Sequence, residues 1–263
     1  MLWVVPWWSL DSALVRERTI LMKVSPIDFY DETYFYHGEA EKKPYTAADG
    51  TIKHYVGPAG DWHGYEYVLD FIEGAIPLRG MSMLDLGCGC GGFVARARAR
   101  GVRAVGCDIS QWAIGHPVSG AEGFLHWRDL SEVPPGLGTF DLVTGLDLLE
   151  HIYEEDLDSF LQNIFGSVMP YGRMFFDICT VKKPADEFVL RKGAEVPIEK
   201  ESIAVAGHVN VRPFEYWLNI FGSYQWKIDW STMDHFHREW SRHPEMQKVE
   251  AWGLQNVLCV RRP

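Results

Sequence analysis

Short apolar runs and longer amphipathic stretches alternate along residues 81–180. Runs such as Met81–Leu86 and Phe140–Thr144 have the length and composition of buried strands. Over residues 154–169, apolar side chains recur every three or four positions behind an acidic first turn, which predicts an amphipathic helix that Pro170 ends. Strands that alternate with helices at this spacing indicate a parallel sheet with helices on both faces.

The segments on either side of this region differ from it in amino-acid composition. Residues 1–80 are rich in aromatic side chains and glycine, and the apolar spacing over 65–76 predicts a helix capped by Asp61. Residues 181–263 begin with a polar stretch and end in a tryptophan-rich segment, where the pattern predicts two helices and a final strand near 257–260. The chain is therefore expected to form an α/β core with a less regular segment on each side.

Composition narrows the class of protein. The 263 residues are 47% hydrophobic and 23% charged, which is typical of a globular chain, and the net charge of −11 argues against a protein that grips nucleic acid through phosphates. Five cysteines without a disulfide-like pattern suit a reducing cytoplasm, and no apolar run has the length of a membrane helix. Met22 offers a second start, so we hypothesise that residues 1–21 are not native.

A glycine-rich turn joins the first predicted strand of the core to its helix. Gly87, Gly89 and Gly92 fit the pattern G-x-G-x-x-G, and Asp108 ends the next strand 21 residues after Gly87. By itself this arrangement fits a dinucleotide-binding site, in which a pyrophosphate rests on the turn. A tight strand–helix turn without any ligand is a second interpretation.

Asp85 favours a third interpretation. It ends the strand before the turn, where a carboxylate repels a pyrophosphate but attracts an ammonium group. A nucleoside that carries an amino group at one end and ribose hydroxyls for Asp108 at the other fits both acids. S-adenosylmethionine is such a ligand, and it is the cofactor that we predict.

Five stretches resemble, in order, the motifs of class I S-adenosylmethionine-dependent methyltransferases. They are Leu84–Gly92, Val105–Ser110, Arg128–Leu130, Phe140–Ile152 and Pro170–Phe176. The resemblance implies a Rossmann-like, mostly parallel sheet of seven strands, with helices on both faces and the last strand antiparallel. It also implies the residues of the cofactor site, which are Asp85, Gly87, Cys88, Gly89, Asp108, Ile109, Asp129 and Leu130.

Candidate catalytic residues follow the fourth predicted strand. Asp147 and His151 lie just past its carboxyl end, where open sheets of this kind bind ligands, and His208 comes from a later segment that could close over the site. Either histidine is a candidate general base for a hydroxyl acceptor. Two alternatives stay open: Glu150 and His151 only hydrogen-bond the loop, or Asp147, Glu150, His151 and His208 hold a divalent cation such as Mg²⁺, to which we do not commit.

The predicted function is transfer of a methyl group to a hydroxyl of a small molecule in the cytoplasm, with a saccharide as the first choice of acceptor. An RNA or protein methyltransferase, an NAD-binding oxidoreductase and a catalytically inactive binding subunit are the alternatives. No nucleic acid or membrane partner is expected, and a homodimer is left open. We predict a lid or extension over residues 1–80, with His63, Tyr65 and Tyr67 in the lid, and a core over 81–263 whose residues 181–240 form a variable acceptor-side segment.

Overall fold

The structure is a computed structural model, and it describes residues 30–35, 43–46, 52–55, 64–194, 207–244 and 257–263. Near the N-terminus lie a short helix, α1 (Glu32–Phe35), and an antiparallel strand pair, β1 (Lys43–Thr46) and β2 (Ile52–Tyr55). The remaining helices are α2 (Tyr65–Ala75), α3 (Gly92–Ala99), α4 (Gln111–Gly115), α5 (Glu154–Phe165), α6 (Phe214–Ser223) and α7 (Trp230–Arg242).

A seven-stranded sheet forms the centre of the described structure. Its strands are β3 (Ser82–Leu86), β4 (Arg103–Asp108), β5 (Leu125–Trp127), β6 (Phe140–Leu146), β7 (Val168–Asp177), β11 (Lys227–Ile228) and β12 (Val257–Arg261), in the spatial order β11-β12-β7-β6-β3-β4-β5. Strands β3 to β7 are parallel, and β12 is antiparallel to both of its neighbours. The predicted Rossmann-like fold is confirmed.

Both faces of the sheet are covered, so the central strands are almost wholly apolar. Leu84 of β3 and Phe175 and Phe176 of β7 are fully buried, as are Phe160 of α5 and Phe236 of α7. The chain order reverses at β3, which pairs with β4 on one side and with β6 on the other. Such a reversal opens a crevice beyond the carboxyl ends of the strands, and this crevice is where the candidate site lies.

A second, smaller sheet stands beside the carboxyl edge of β6 and β7. Strand β10 (Asn210–Pro213) pairs with β8 (Thr180–Val181) in parallel and with β9 (Phe188–Val189) in antiparallel orientation. Val209 N donates a hydrogen bond to Glu150 O over 2.8 Å, which ties this sheet to the 3-10 turn Leu149–His151 after β6. This contact brings residues 207–209 to the site.

The helix over residues 154–169 is shorter than predicted, because the chain joins the sheet earlier. Helix α5 ends at Phe165, and Val168 already pairs with Phe140 as the first residue of β7. Apolar periodicity could not separate these two outcomes, since Val168 is buried in either one. Pro170 therefore lies within β7, where a register shift accommodates it.

Helix α2 lies within the segment predicted as an extension, yet it packs into the central core. Its Phe71 meets Phe236 of α7 edge to face at a ring distance of 5.5 Å. The helix begins at Tyr65 with Gly64 as its N-cap residue, and Asp61 lies outside the described residues. The division at residue 80 and the variable segment 181–240 stay predictions. None of the helices in the described part of the chain is long and apolar enough to cross a membrane.

Candidate functional site

Backbone hydrogen bonds join the glycine turn after β3 to the neighbouring strand β4. Gly87 N and Cys88 N donate hydrogen bonds to Cys107 O over 2.8 and 3.1 Å. Gly87 and Gly89 have φ angles of +68° and +52°, which side chains with a Cβ rarely adopt. Gly91, the N-cap residue of α3, has a φ of +84°, so the third left-handed glycine is Gly91 and not the Gly92 of the sequence pattern.

Asp85 stands at the mouth of this turn, only 4% exposed. Thr144 Oγ1 donates a hydrogen bond of 2.7 Å to its Oδ1 from the adjacent strand β6. Burial raises the pKa of Asp85 to about 7; the Thr144 hydrogen bond opposes the rise, and the nearby Asp108 adds to it. The site therefore holds a carboxyl group that a cationic ligand group would return to its charged form.

Asp108 is the last residue of β4, and it contacts the glycine turn on the side opposite Asp85. Its Oδ2 accepts a hydrogen bond from Gly89 N over 2.8 Å, and its Oδ1 accepts one from Ser110 N over 2.7 Å. Burial raises the pKa of Asp108, and these amide hydrogen bonds counteract the rise. Because each carboxylate oxygen can accept more than one hydrogen bond, ligand hydroxyls can still bind there.

The other predicted cofactor residues lie around the ends of β4 and β5. Ile109 is half-buried and its carbonyl accepts a hydrogen bond from Trp127 Nε1 over 2.8 Å. Asp129 caps the Ser131 amide over 3.0 Å, and the neighbouring Leu130 is buried. The Cys88 side chain points instead toward β4, since a Cβ on Gly106 would lie 2.6 Å from Cys88 Cβ, so Cys88 offers a ligand its backbone only.

Three carboxyl groups meet at the carboxyl ends of β6 and β7. Glu150 Oε1 accepts a hydrogen bond from Cys179 N over 2.9 Å, whereas Oε2 is buried without a hydrogen-bond partner among the described residues. Asp177 is 1% exposed and faces Asp147, whose own amide donates to Asp177 O over 3.0 Å. Burial and the repulsion from Asp147 raise the pKa of Glu150 to about 8, and the same two causes raise the pKa of Asp177 well above its ordinary value.

The two predicted histidines also come together here. The rings of His151 and His208 lie 4.8 Å apart, nearly perpendicular to one another. His151 Nδ1 is 2.8 Å from Tyr30 Oη and 3.1 Å from Gly207 O. Burial holds the pKa of His151 well below its ordinary range and lowers that of His208 to about 4. Both imidazoles are therefore neutral near pH 7, and each has one ring nitrogen that can accept a hydrogen bond.

One group of side chains in the described part of the chain has the spacing of metal ligands. Atoms of Glu150, Cys179 and His208 lie within 4.8 Å of one another, so the spacing includes neither Asp147 nor His151 of the predicted set. Burial raises the pKa of the Cys179 thiol to about 12, which keeps it protonated. We assign no metal to this group.

Sequence patterns missed several residues of the site. Thr144 and Asp177 lie on predicted strands, and a polar residue at the end of an apolar strand was the available signal. Tyr30 had no such signal, because its contact with His151 spans 121 residues of sequence. Of the predicted lid residues, Tyr65 and Tyr67 pack against Phe93 and His243, and His63 lies outside the described residues.

Comparison with known proteins agrees with this geometry. A family model described as a methyltransferase domain matches residues 62–229, which is more than half of the chain. The chain belongs to the class I S-adenosylmethionine-dependent methyltransferases. The family confirms the predicted class of cofactor, S-adenosylmethionine, and removes the support for an NAD-binding oxidoreductase.

Curated relatives of this methyltransferase match only part of it. The ubiquinone biosynthesis O-methyltransferase of Paracidovorax citrulli is 33% identical over 132 residues, which are 46% of this chain and 52% of that protein. The protein of the same description from Coxiella burnetii (strain Dugway 5J108-111) is 32% identical over 114 residues, 41% of this chain and 47% of that protein. The chain thus spans about half the length of the curated relatives it matches.

Solved structures agree with the methyltransferase fold. An S-adenosylmethionine-dependent methyltransferase from Mesorhizobium loti has a TM-score of 0.51 at 18% identity, over 76% of this chain and 99% of that one. At this level of identity the likeness shows the fold alone.

The residues present fit the family's cofactor. Two buried acids, Asp85 and Asp108, flank a turn whose left-handed glycines leave no room for side chains, and neither acid forms an ion pair with another described residue. An amino group would satisfy the first acid, and ribose hydroxyls would satisfy the second.

Proposed function

We propose that this methyltransferase transfers a methyl group to a hydroxyl oxygen of a small molecule. The observation that carries the proposal is the pair of half-buried imidazoles of His151 and His208, whose rings lie 4.8 Å apart at the carboxyl edge of the sheet. A hydroxyl must lose its proton as its oxygen is methylated, and a neutral imidazole accepts that proton. The names of the curated relatives, which are O-methyltransferases, support the same acceptor atom.

In this proposal the glycine turn and the two acids hold S-adenosylmethionine. Asp85 and the turn take its amino group, Asp108 takes its ribose hydroxyls, and Ile109, Asp129 and Leu130 line the adenine. When bound, the cofactor supplies an electrophilic methyl group. The protein contributes orientation, because an acceptor held in line with that group reacts without the entropy cost of an encounter.

The proton that leaves the acceptor goes to His208 or His151. A Glu150 oxygen lies within 4.8 Å of a ring nitrogen of His208, so an imidazolium formed there has an ionisable acid beside it. The exposed Asp147 stands at the rim of the same cluster and is proposed to orient the acceptor hydroxyl. Stabilisation of charge that develops during the reaction is the usual contribution of such groups.

The acceptor is proposed as a small molecule without restriction to saccharides, because the curated relatives described above are named for ubiquinone biosynthesis and not for a saccharide. The same fold accepts nitrogen in a Haemonchus contortus phosphoethanolamine N-methyltransferase, which has a TM-score of 0.51 at 16% identity over 79% of this chain and 55% of that one. The test below therefore includes amines as acceptors, so that methylation of nitrogen would be detected.

The test offers purified protein and S-adenosylmethionine to a panel of phenols, catechols, polyols, saccharides and amines, with mass spectrometry of the products. We expect O-methylated products from one class of hydroxyl, unchanged by EDTA. His208→Ala and His151→Ala should both retain S-adenosylhomocysteine binding, and the variant that lacks the general base should lose turnover by about 10²-fold or more. N-methylated products alone, or wild-type turnover in both variants, would contradict the proposal.

A further inference from the structure

We propose that Tyr30 is a positioning residue for His151, and that it ties this imidazole to the strand that holds the cofactor. The inference rests on the proposed function, since it assigns a role to a residue that acts through His151. Tyr30 lies outside residues 62–229, which the family model matches. Nothing in the family match therefore accounts for it.

The side chain of Tyr30 reaches the candidate base directly. Its Oη lies 2.8 Å from His151 Nδ1, and the two rings meet edge to face at 5.8 Å. Tyr30 and His151 are both half-buried. Few water molecules compete for a hydrogen bond in a half-buried position, so this bond fixes the orientation of the His151 ring.

The second partner of the same nitrogen determines the tautomer. Gly207 O lies 3.1 Å from His151 Nδ1, and a carbonyl oxygen can only accept a hydrogen bond. Nδ1 therefore carries the proton and donates to Gly207 O and Tyr30 Oη, which leaves the lone pair on Nε2. Gly207 O thus selects the tautomer, and Tyr30, whose hydroxyl can either donate or accept, helps to fix the orientation of the ring.

The backbone of Tyr30 is anchored on the cofactor side. Ser110 Oγ donates a hydrogen bond of 2.5 Å to Tyr30 O, and Ser110 N donates to Asp108 Oδ1 over 2.7 Å. Asp108 in turn binds the glycine turn through Gly89 N. A continuous chain of hydrogen bonds therefore runs from the glycine turn through Tyr30 to His151.

The rest of the segment holds this arrangement in place. Tyr34 and Phe35 are 5% and 9% exposed, and Phe35 stacks on Trp112 of α4 at a ring distance of 6.0 Å. A Cβ on Gly89 would lie 3.1 Å from Phe35 Cε1, so the segment lies directly against the glycine turn. Residues 30–35 are thus packed on the cofactor side, with the Tyr30 hydroxyl directed to the acceptor side.

The deciding variant is Tyr30→Phe, which removes Oη but keeps the ring and the backbone carbonyl. We expect kcat to fall about 10- to 100-fold, because the ring of His151 loses one of the two contacts that orient it. The KM for S-adenosylmethionine and the affinity for S-adenosylhomocysteine should change by less than about twofold, since the Ser110 contact remains. Tyr171→Phe is the control: its side chain is 77% exposed near the start of β7, at the opposite end of this strand from the site, and its kcat should equal that of wild type.

A readout independent of turnover is the ring environment of His151. In ¹⁵N-labelled wild-type protein with S-adenosylhomocysteine, we expect Nδ1 to carry the proton and a single ring environment. In Tyr30→Phe we expect the ring resonances to broaden, because the ring loses one of the two contacts that orient it, while Nδ1 keeps the proton that it donates to Gly207 O. Unchanged ring resonances together with unchanged kcat would overturn the proposal, as would a parallel loss of S-adenosylhomocysteine binding that marks a merely structural role. If wild type gives no O-methyl product, the proposed function fails, whereas the ring resonances still decide the role of Tyr30.

Discussion

Asp85 carries a carboxyl group almost completely removed from solvent, beside Thr144 and within the field of Asp108. Its pKa of about 7 means that the unliganded protein takes up a proton there near neutral pH. A bound ammonium group favours the ionised form and lowers this pKa. We therefore expect cofactor binding to release a proton at pH values between this lowered pKa and about 7, and this linkage is measurable.

We predict that S-adenosylhomocysteine binds more weakly as the pH falls below 7. The dissociation constant should rise roughly tenfold per pH unit, because the proton competes with the amino group for Asp85. Asp85→Asn should bind more weakly at pH 8 and lose most of the pH dependence. Titration calorimetry between pH 5.5 and 8, in buffers of different ionisation enthalpy, measures both effects. If the dissociation constant of the wild-type protein does not change with pH, Asp85 does not contact the amino group.

Asp108 is predicted to contribute directly to cofactor affinity. Asp108→Ala should weaken S-adenosylhomocysteine binding by about 1–3 kcal/mol, because ligand hydroxyls and the amides of Gly89 and Ser110 lose their acceptor. Asp141→Asn is a suitable control, since Asp141 bonds Ser82 at the opposite end of the strands. Its affinity should equal that of wild type; equal losses in both variants would indicate a general effect on folding.

At the level of elements, the turn between β3 and α3 depends on backbone conformation and on space. Gly91 combines a φ of +84° with close neighbours: a Cβ there would lie 2.7 Å from Ala121 Cβ and 2.8 Å from Leu125 Cδ2. Gly123 has a φ of +77° and open space around its Cα. A comparison of substitutions at these two glycines therefore distinguishes the cost of backbone strain from the cost of steric crowding.

We predict that Gly91→Ala lowers the free energy of unfolding more than Gly123→Ala does. Gly123→Ala should cost about 1–2 kcal/mol for the left-handed backbone alone. Gly91→Ala should cost about 1–3 kcal/mol more, because Ala121 and Leu125 must move. Urea unfolding at fixed pH measures the difference, and equal losses would show that the turn relaxes freely.

At the scale of the whole molecule, a bound cofactor product such as S-adenosylhomocysteine is expected to stabilise the folded protein against unfolding. The site is assembled from β3, β4, β6 and β7, so unfolding destroys it, and binding must raise the stability of all these elements together. S-adenosylhomocysteine at about 100 times its dissociation constant should add about 2.7 kcal/mol and raise Tm by about 5–10 °C. NAD at the same concentration should leave Tm unchanged; a shift with NAD alone would contradict the choice of cofactor.

Local sequence was sufficient to predict the parallel core and to place the proposed cofactor residues around one turn. The alternation of apolar runs and amphipathic stretches, the glycines of the turn, and the acids Asp85 and Asp108 lie within a few residues of the elements that present them. Parallel strands bring their carboxyl ends to one edge, so these residues meet once the strands are identified. Where a buried position suits helix and strand alike, as at Val168, the boundary was wrong.

Tertiary structure alone decided the acceptor side. The contact of Tyr30 with His151, the approach of Asp177 to Asp147 and the arrival of His208 beside His151 join segments far apart in sequence. Periodicity reports only which face of an element is buried, and it carries no information about which distant segment covers that face. The pKa values of Glu150, His151 and His208 depend on this covering, because the removal of water is the largest cause of each shift.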